Sequence, residues 1–113
     1  MLNNEDRIRI RHMLEASQKI MKFFQKKTRQ EFENDEVLVL AVVRLLEIVG
    51  EAARKISSEI TQEFSQITWK GIIGTRDRLI HGYFNVDMNV IWNIIENDIP
   101  YLITELEKIG ALQ

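Results

Sequence analysis

The stretch EVLVLAVVRLLEIVGEAARKIS, residues 36–57, decides the fold. From Val37 to Val49 it is apolar nearly all round, interrupted by a narrow polar stripe of Arg44, Glu47, Glu51 and Arg54/Lys55. Such a helix must be covered on most of its sides. A chain of 113 residues has few other elements to cover it. The helix is therefore expected both as the central core element and as part of a subunit interface. Asn34 or Asp35 offers an N-cap, and Glu36 suits the first turn. Gly50, Ala52 and Ala53 lack bulk where a neighbouring helix could approach closely. Without such a neighbour, a mid-helix glycine costs about 1 kcal/mol.

The flanking sequence is also helical. From about Glu5 to Lys27, Ile10, Met13/Leu14, Ser17, Ile20/Met21 and Phe24 recur at three- and four-residue steps, one apolar stripe. Thr28-Arg29-Gln30-Glu31 has capping-box spacing and can start a short turn. Ser58 can cap a turn over 59–64. Thr68 is a candidate N-cap for a helix over 69–81 closed by Gly82, with Ile72, Ile73, Leu79 and Ile80 facing inward. A last helix spans about 88–109, and the only proline, Pro100, predicts a kink or break in it. No β-hairpin signal or repeat is found. The expected architecture is a single all-α domain, residues 1–113, a bundle of four to five helices.

Composition narrows the function classes. Apolar residues make up 45% and charged residues 28%, ordinary globular values that leave no room for disorder or low complexity. Zero cysteines exclude disulfides and thiolate chemistry. The longest apolar run, residues 37–43, is far too short for a membrane span, and the N-terminus lacks the apolar core of a secretory signal. A cytoplasmic protein without membrane contact is expected. Net charge is −2, which argues against a surface that grips nucleic acid throughout. Yet residues 1–33 carry eight Lys/Arg against five acids, and residues 68–81 carry three against one. Two local positive patches suit a small anionic site.

Few residues can carry chemistry. Glu47 and Glu51 share a helix face but lack a histidine companion for a metal pair. They read as partners for Arg44, Arg54 or Lys55. The remaining constellation is Arg76-Asp77-Arg78-Leu79-Ile80-His81-Gly82-Tyr83. A guanidinium matches phosphate oxygens with a planar fork of donors. An imidazole can take a proton from a ribose hydroxyl and return one to a leaving oxygen. Together they could cleave RNA without a metal or cofactor. The same Arg–x4–His spacing occurs at Arg7…His12, where His12 reads as a solvated or RNA-facing residue. Arg78 either binds phosphate or forms a surface ion pair. On an ideal helix Arg76 and His81 would lie about 140° apart. One chain thus makes a poor site unless the helix end unwinds or two chains pool their residues. Trp69, Trp92, Phe23, Phe24 and Tyr101 read as core or interface aromatics.

The segment from Gly74 to Tyr83, with residues 44–54, Trp69 and the Asp98-Ile99-Pro100 break, resembles the HepT-like branch of the HEPN domains over nearly the whole chain. The resemblance implies an all-α homodimeric endoribonuclease, the toxin of a two-gene toxin–antitoxin pair of the type VII kind. It implies a minimal nucleotidyltransferase antitoxin as partner and RNA as substrate. Carried over by position, Arg76 and His81 become the catalytic pair, Asp77 the supporting polar residue, and Tyr83 the acceptor of AMP. AMP at Tyr83, two residues beyond His81, would obstruct RNA and compete for Arg76. A rival reading is a non-catalytic helical dimer that binds a nucleotidyltransferase or a nucleotide, with Arg76 gripping phosphate statically.

Overall fold

The computed structural model describes residues 2–81 and 85–111, with the side chains of Ile80, His81 and Ala111 outside the description. Three long helical elements make the bundle: α1 (Asn4–Phe24), α3 (Glu36–Arg54), and a C-terminal rod of α7 (Met88–Asn93), a π-helical turn (Ile94–Asp98) and α8 (Ile99–Ala111). Short helices α2 (Arg29–Glu33), α4 (Ser58–Glu63), α5 (Trp69–Ile73) and α6 (Thr75–Leu79) complete it. The all-α bundle is the architecture the periodicity predicts.

The caps start the helices where the side-chain chemistry says they should. Asp35 accepts the amide of Leu38 at the head of α3. Thr28 and Glu31 form a reciprocal capping box at α2. The Thr28 amide, then the Thr28 hydroxyl, hold the Glu31 carboxyl below its ordinary range. That contribution is present above the ordinary carboxylate pKa and is lost as pH falls through the lowered value. At α4 the cap position is Ser57 rather than Ser58, without a side-chain cap bond. Ser57 is engaged elsewhere: its amide and hydroxyl donate to the two carboxylate oxygens of Asp6, at 3.0 and 2.6 Å. Asp6 is buried, so a charge near the start of α1 latches the end of α3.

α3 lies at the centre, against α1, α5 and α6. Its inward residues divide between two apolar clusters. Val49, Ala52 and Ala53 meet Ile10, Met13, Leu102 and Leu106. Leu38, Val42, Val43 and Leu46 meet Ile20, Phe24, Phe32, Leu79 and Ile91. Each fully buried Val, Leu or Ile contributes roughly 1.5–3 kcal/mol. Phe24, Phe32 and Trp92 pack tilted against one another, Phe24 and Phe32 at 4.3 Å. Trp69 is buried, its indole N–H donating to the Phe64 carbonyl at 3.1 Å. Phe23 and Tyr101 lie at the surface instead of the core of the subunit.

Two predicted elements differ. The helix over 69–81 is split at Gly74 and ends at Leu79. Ile80–His81 (β1) then pairs antiparallel with Asn85–Val86 (β2), Ile80 opposite Val86 and His81 opposite Asn85. The Asp87 amide takes the Leu79 carbonyl at 2.6 Å, an acceptor that a continuing helix would need. The predicted closing glycine, Gly82, lies outside the described residues. At Pro100 the helix is not broken. The Ile99 amide reaches back five residues to Ile94, and this wider turn passes the chain into α8.

Gly50 confirms the expected close approach. A Cβ there would sit 3.2 Å from the Ile72 carbonyl oxygen and 3.6 Å from that of Ile73. Replacing Gly50 by Leu should therefore push α5 off α3 and cost roughly 1–3 kcal/mol, read as a lowered urea midpoint with the far-UV helical signal retained.

Candidate functional site

α3 supplies one wall of a cleft, and α5 and α6 the other. The cleft holds about 410 Å³ and is lined by Arg44, Glu47, Gly50, Glu51, Arg54, Ile73, Arg76 and Asp77. Gly50 sits at its floor, so the same close approach that joins α3 to α5 brings α6 beside the polar stripe of α3. Arg76 then meets Glu47: its Nε–H donates to Glu47 Oε2 at 3.0 Å. Glu51 pairs with Arg54 at 3.6 Å, as the helical spacing predicts, whereas Glu47 pairs across helices.

The Arg76 contact has a geometric consequence. A guanidinium carries five N–H donors in a plane. Glu47 takes the Nε donor, and among the described residues no other partner holds the terminal nitrogens. The carboxylate therefore orients the plane and leaves the outer edge, the edge that fits two phosphate oxygens, without a partner among the described residues. The Arg76 side chain is 56% exposed, so the pair orients more than it stabilises.

The other motif residues separate. Asp77 lines the same cleft as Arg76. Arg78, two residues on, points to the opposite face of α6. It lines a cavity of about 460 Å³ among α3, α5 and the C-terminal rod, 3.9 Å from Asp98. This contact is the surface ion pair that one of its two sequence readings expects. His81 leaves the helix altogether, two residues past the end of α6 and within β1. The helical phase that would set it about 140° from Arg76 thus no longer applies. Its side chain, and the whole of Tyr83, lie outside the described residues. Glu47 and Gly50 were not singled out for Arg76 by spacing. They lie 29 and 26 positions away, and only the packed helices join them. Among the described residues no group of three His, Cys, Asp or Glu side chains could hold a metal ion. No described helix is long and apolar enough to cross a membrane.

A family model described as Ribonuclease HepT-like matches residues 13–109. The chain belongs to the HepT-like family. A Thermococcus cleftensis protein named "Probable ribonuclease HepT" is 37% identical over 95 residues, which cover 84% of this chain and 86% of that one. A protein of Methanocaldococcus jannaschii, provisionally named an RNase, is 36% identical over 95 residues, 84% of this chain and 87% of its own. Another so named, from Caldanaerobacter subterraneus subsp. tengcongensis, is 36% identical over 100 residues, 88% and 89% of the two chains. No solved structure matches. In this HepT-like chain Glu47 gives Arg76 a frame from a second helix.

Removing that frame has a readable effect. In Glu47→Ala the Arg76 Nε–Hε resonance should broaden and exchange faster with water. Global stability should change by less than about 1 kcal/mol, because the Arg76 half of the pair is 56% exposed and screened by water.

Proposed function

We propose that this protein is a metal-independent endoribonuclease, the toxin of a toxin–antitoxin pair, acting as a homodimer in the cytoplasm. The observation that carries the reading is Arg76, held by Glu47 in a cleft with its terminal nitrogens unengaged among the described residues, in a chain of the HepT-like family. The names of its relatives point to RNA as the substrate.

In this reading Arg76 binds the scissile phosphate by its outer edge. His81 removes the proton from the neighbouring 2′-hydroxyl, whose oxygen attacks phosphorus as the bond to the 5′-oxygen breaks. The departing oxygen receives a proton from the imidazolium. Charge gathers on the phosphoryl oxygens in the transition state, where a fixed guanidinium stabilises it most. Asp77, on the rim, supports the position of Arg76.

A second protomer completes the site. Val37 and Leu40, three residues apart on one face of α3, are 77% and 58% exposed. Two large apolar side chains at the surface of the core helix suit contact with a second copy. That dimer would set the Arg76 of one subunit against the His81 of the other. A minimal nucleotidyltransferase antitoxin transfers AMP from ATP to the Tyr83 hydroxyl, releasing pyrophosphate. The bulky anion then blocks the cleft.

Purified protein should cut RNA in EDTA, and Arg76→Ala and His81→Ala should each lower kcat by about 10²–10³-fold. Undiminished cleavage by both variants would refute the assignment. Harmless expression and no RNA cleavage by a wild type that still binds the nucleotidyltransferase or a nucleotide would favour the non-catalytic dimer. For the regulation, intact-mass analysis after incubation with the cognate nucleotidyltransferase and ATP should show addition of AMP. Tyr83→Phe should show none.

A further inference from the structure

A second groove adjoins the Arg76 cleft and shares its α3 wall. It runs between α1 and α3 and encloses about 380 Å³. Arg9 and His12 of α1 face it from one side, Arg44 and Lys55 of α3 from the other. Arg44 and Glu51 line this groove and the cleft alike, so the two form one path over the polar stripe of α3.

The groove carries more positive charge than its own acids balance. Glu51 is drawn to Arg54, outside the groove, at 3.6 Å. Glu5 reaches only Arg9, at 3.5 Å. Among the described residues, the side chains of His12, Arg44 and Lys55 have no ion-pair or hydrogen-bond partner. In a chain of net charge −2, basic groups are thus gathered from two helices and left unpaired. Like charges in proximity repel, and a bound anion would offset that repulsion. The spacing is also held: an Arg9 terminal nitrogen donates to the Lys55 carbonyl at 3.3 Å, tying α1 to the end of α3.

The lining says which anion. Ile8 and Ile48 supply an apolar floor, and no Phe, Tyr or Trp is present to stack a base. Cations above an aliphatic floor suit a phosphate and its sugar, contacts that position a strand without reading its sequence. We infer that this groove holds a backbone phosphate of single-stranded RNA, flanking the phosphate at Arg76. Arg44 is the residue shared by both positions. The inference rests on the ribonuclease reading for its substrate. It gives His12, of the second Arg–x4–His spacing, a binding role.

The test uses the full chain and a fluorescent oligoribonucleotide 2′-O-methylated throughout, so that it binds without being cut. Anisotropy is followed between roughly 50 and 200 mM salt. His12→Ala/Lys55→Ala should weaken binding about tenfold at low salt. The slope of log affinity against log salt should fall by about 0.7 for each phosphate that the variant leaves unneutralised. Lys26→Gly/Lys27→Ala removes two cations at the other end of α1, with glycine suited to the positive φ of Lys26, and should keep the wild-type slope. All four sites are exposed, so both variants should give the wild-type circular dichroism melt. An unchanged affinity in the groove variant, an equal loss in both variants, or a wild type without salt-dependent affinity for the strand would overturn the inference. Groove-dependent binding by a wild type that cuts no unmodified RNA would support the groove and count against the nuclease.

Discussion

At Gly50 the backbone of α3 lies against the carbonyls of α5, with the Ile72 oxygen 3.2 Å from where a Cβ would stand. Even a Cβ there would be closer than ordinary contact, and the atom it meets is a backbone carbonyl oxygen in a short helix, which cannot rotate away as the end of a flexible side chain can. The placement of α6 follows from this approach, since only Gly74 separates it from α5. The placement of Arg76 against Glu47 follows in turn. A 3.0 Å ion pair between residues 29 positions apart thus depends on a backbone approach set by the packing of an apolar helix.

The core and the site draw on one element in different ways. The inward face of α3 joins both apolar clusters, and its polar stripe faces the cleft and the α1–α3 groove. Burial fixes the rotation of α3, because turning the stripe inward would place Arg44, Glu47 and Glu51 in an apolar interior at several kcal/mol each. Rigid positioning of the functional groups is therefore a by-product of burying Val42, Leu46 and Val49. The surface ion pairs add orientation. They contribute little to stability.

The region after α6 shows where local preference yields to the fold. Residues 69–81 have helical periodicity and a plausible start, yet Gly74 divides them and Leu79 ends them. Leu79 is buried in the cluster around Leu46 and Ile91, and its carbonyl is claimed by the amide of Asp87. Once that acceptor is occupied, the chain turns into the β1–β2 pair instead of completing another helical turn. The C-terminal rod shows the reverse outcome. Pro100 removes an amide, but a single wide turn beforehand lets the helix continue, so the predicted kink or break takes the form of a π-helical turn.

What was legible from the residues alone was periodic or local. The three- and four-residue apolar stripe of α1, the near-continuous apolar face of α3, the Thr28–Glu31 box and the Asp35 cap depend on neighbours within a turn or two, and spacing records those directly. Gly50 was readable as a point of close approach, though not what approached it. The motif from Arg76 to Tyr83 was readable as a candidate because its residue types are chemical. Pairings between distant residues were decided only by the tertiary structure: Glu47 with Arg76, Asp6 with Ser57, and Arg9 and His12 beside Arg44 and Lys55. No spacing rule links positions 29 to 51 apart, because their distance is set by how helices cross, which side-chain volume along the whole interface determines.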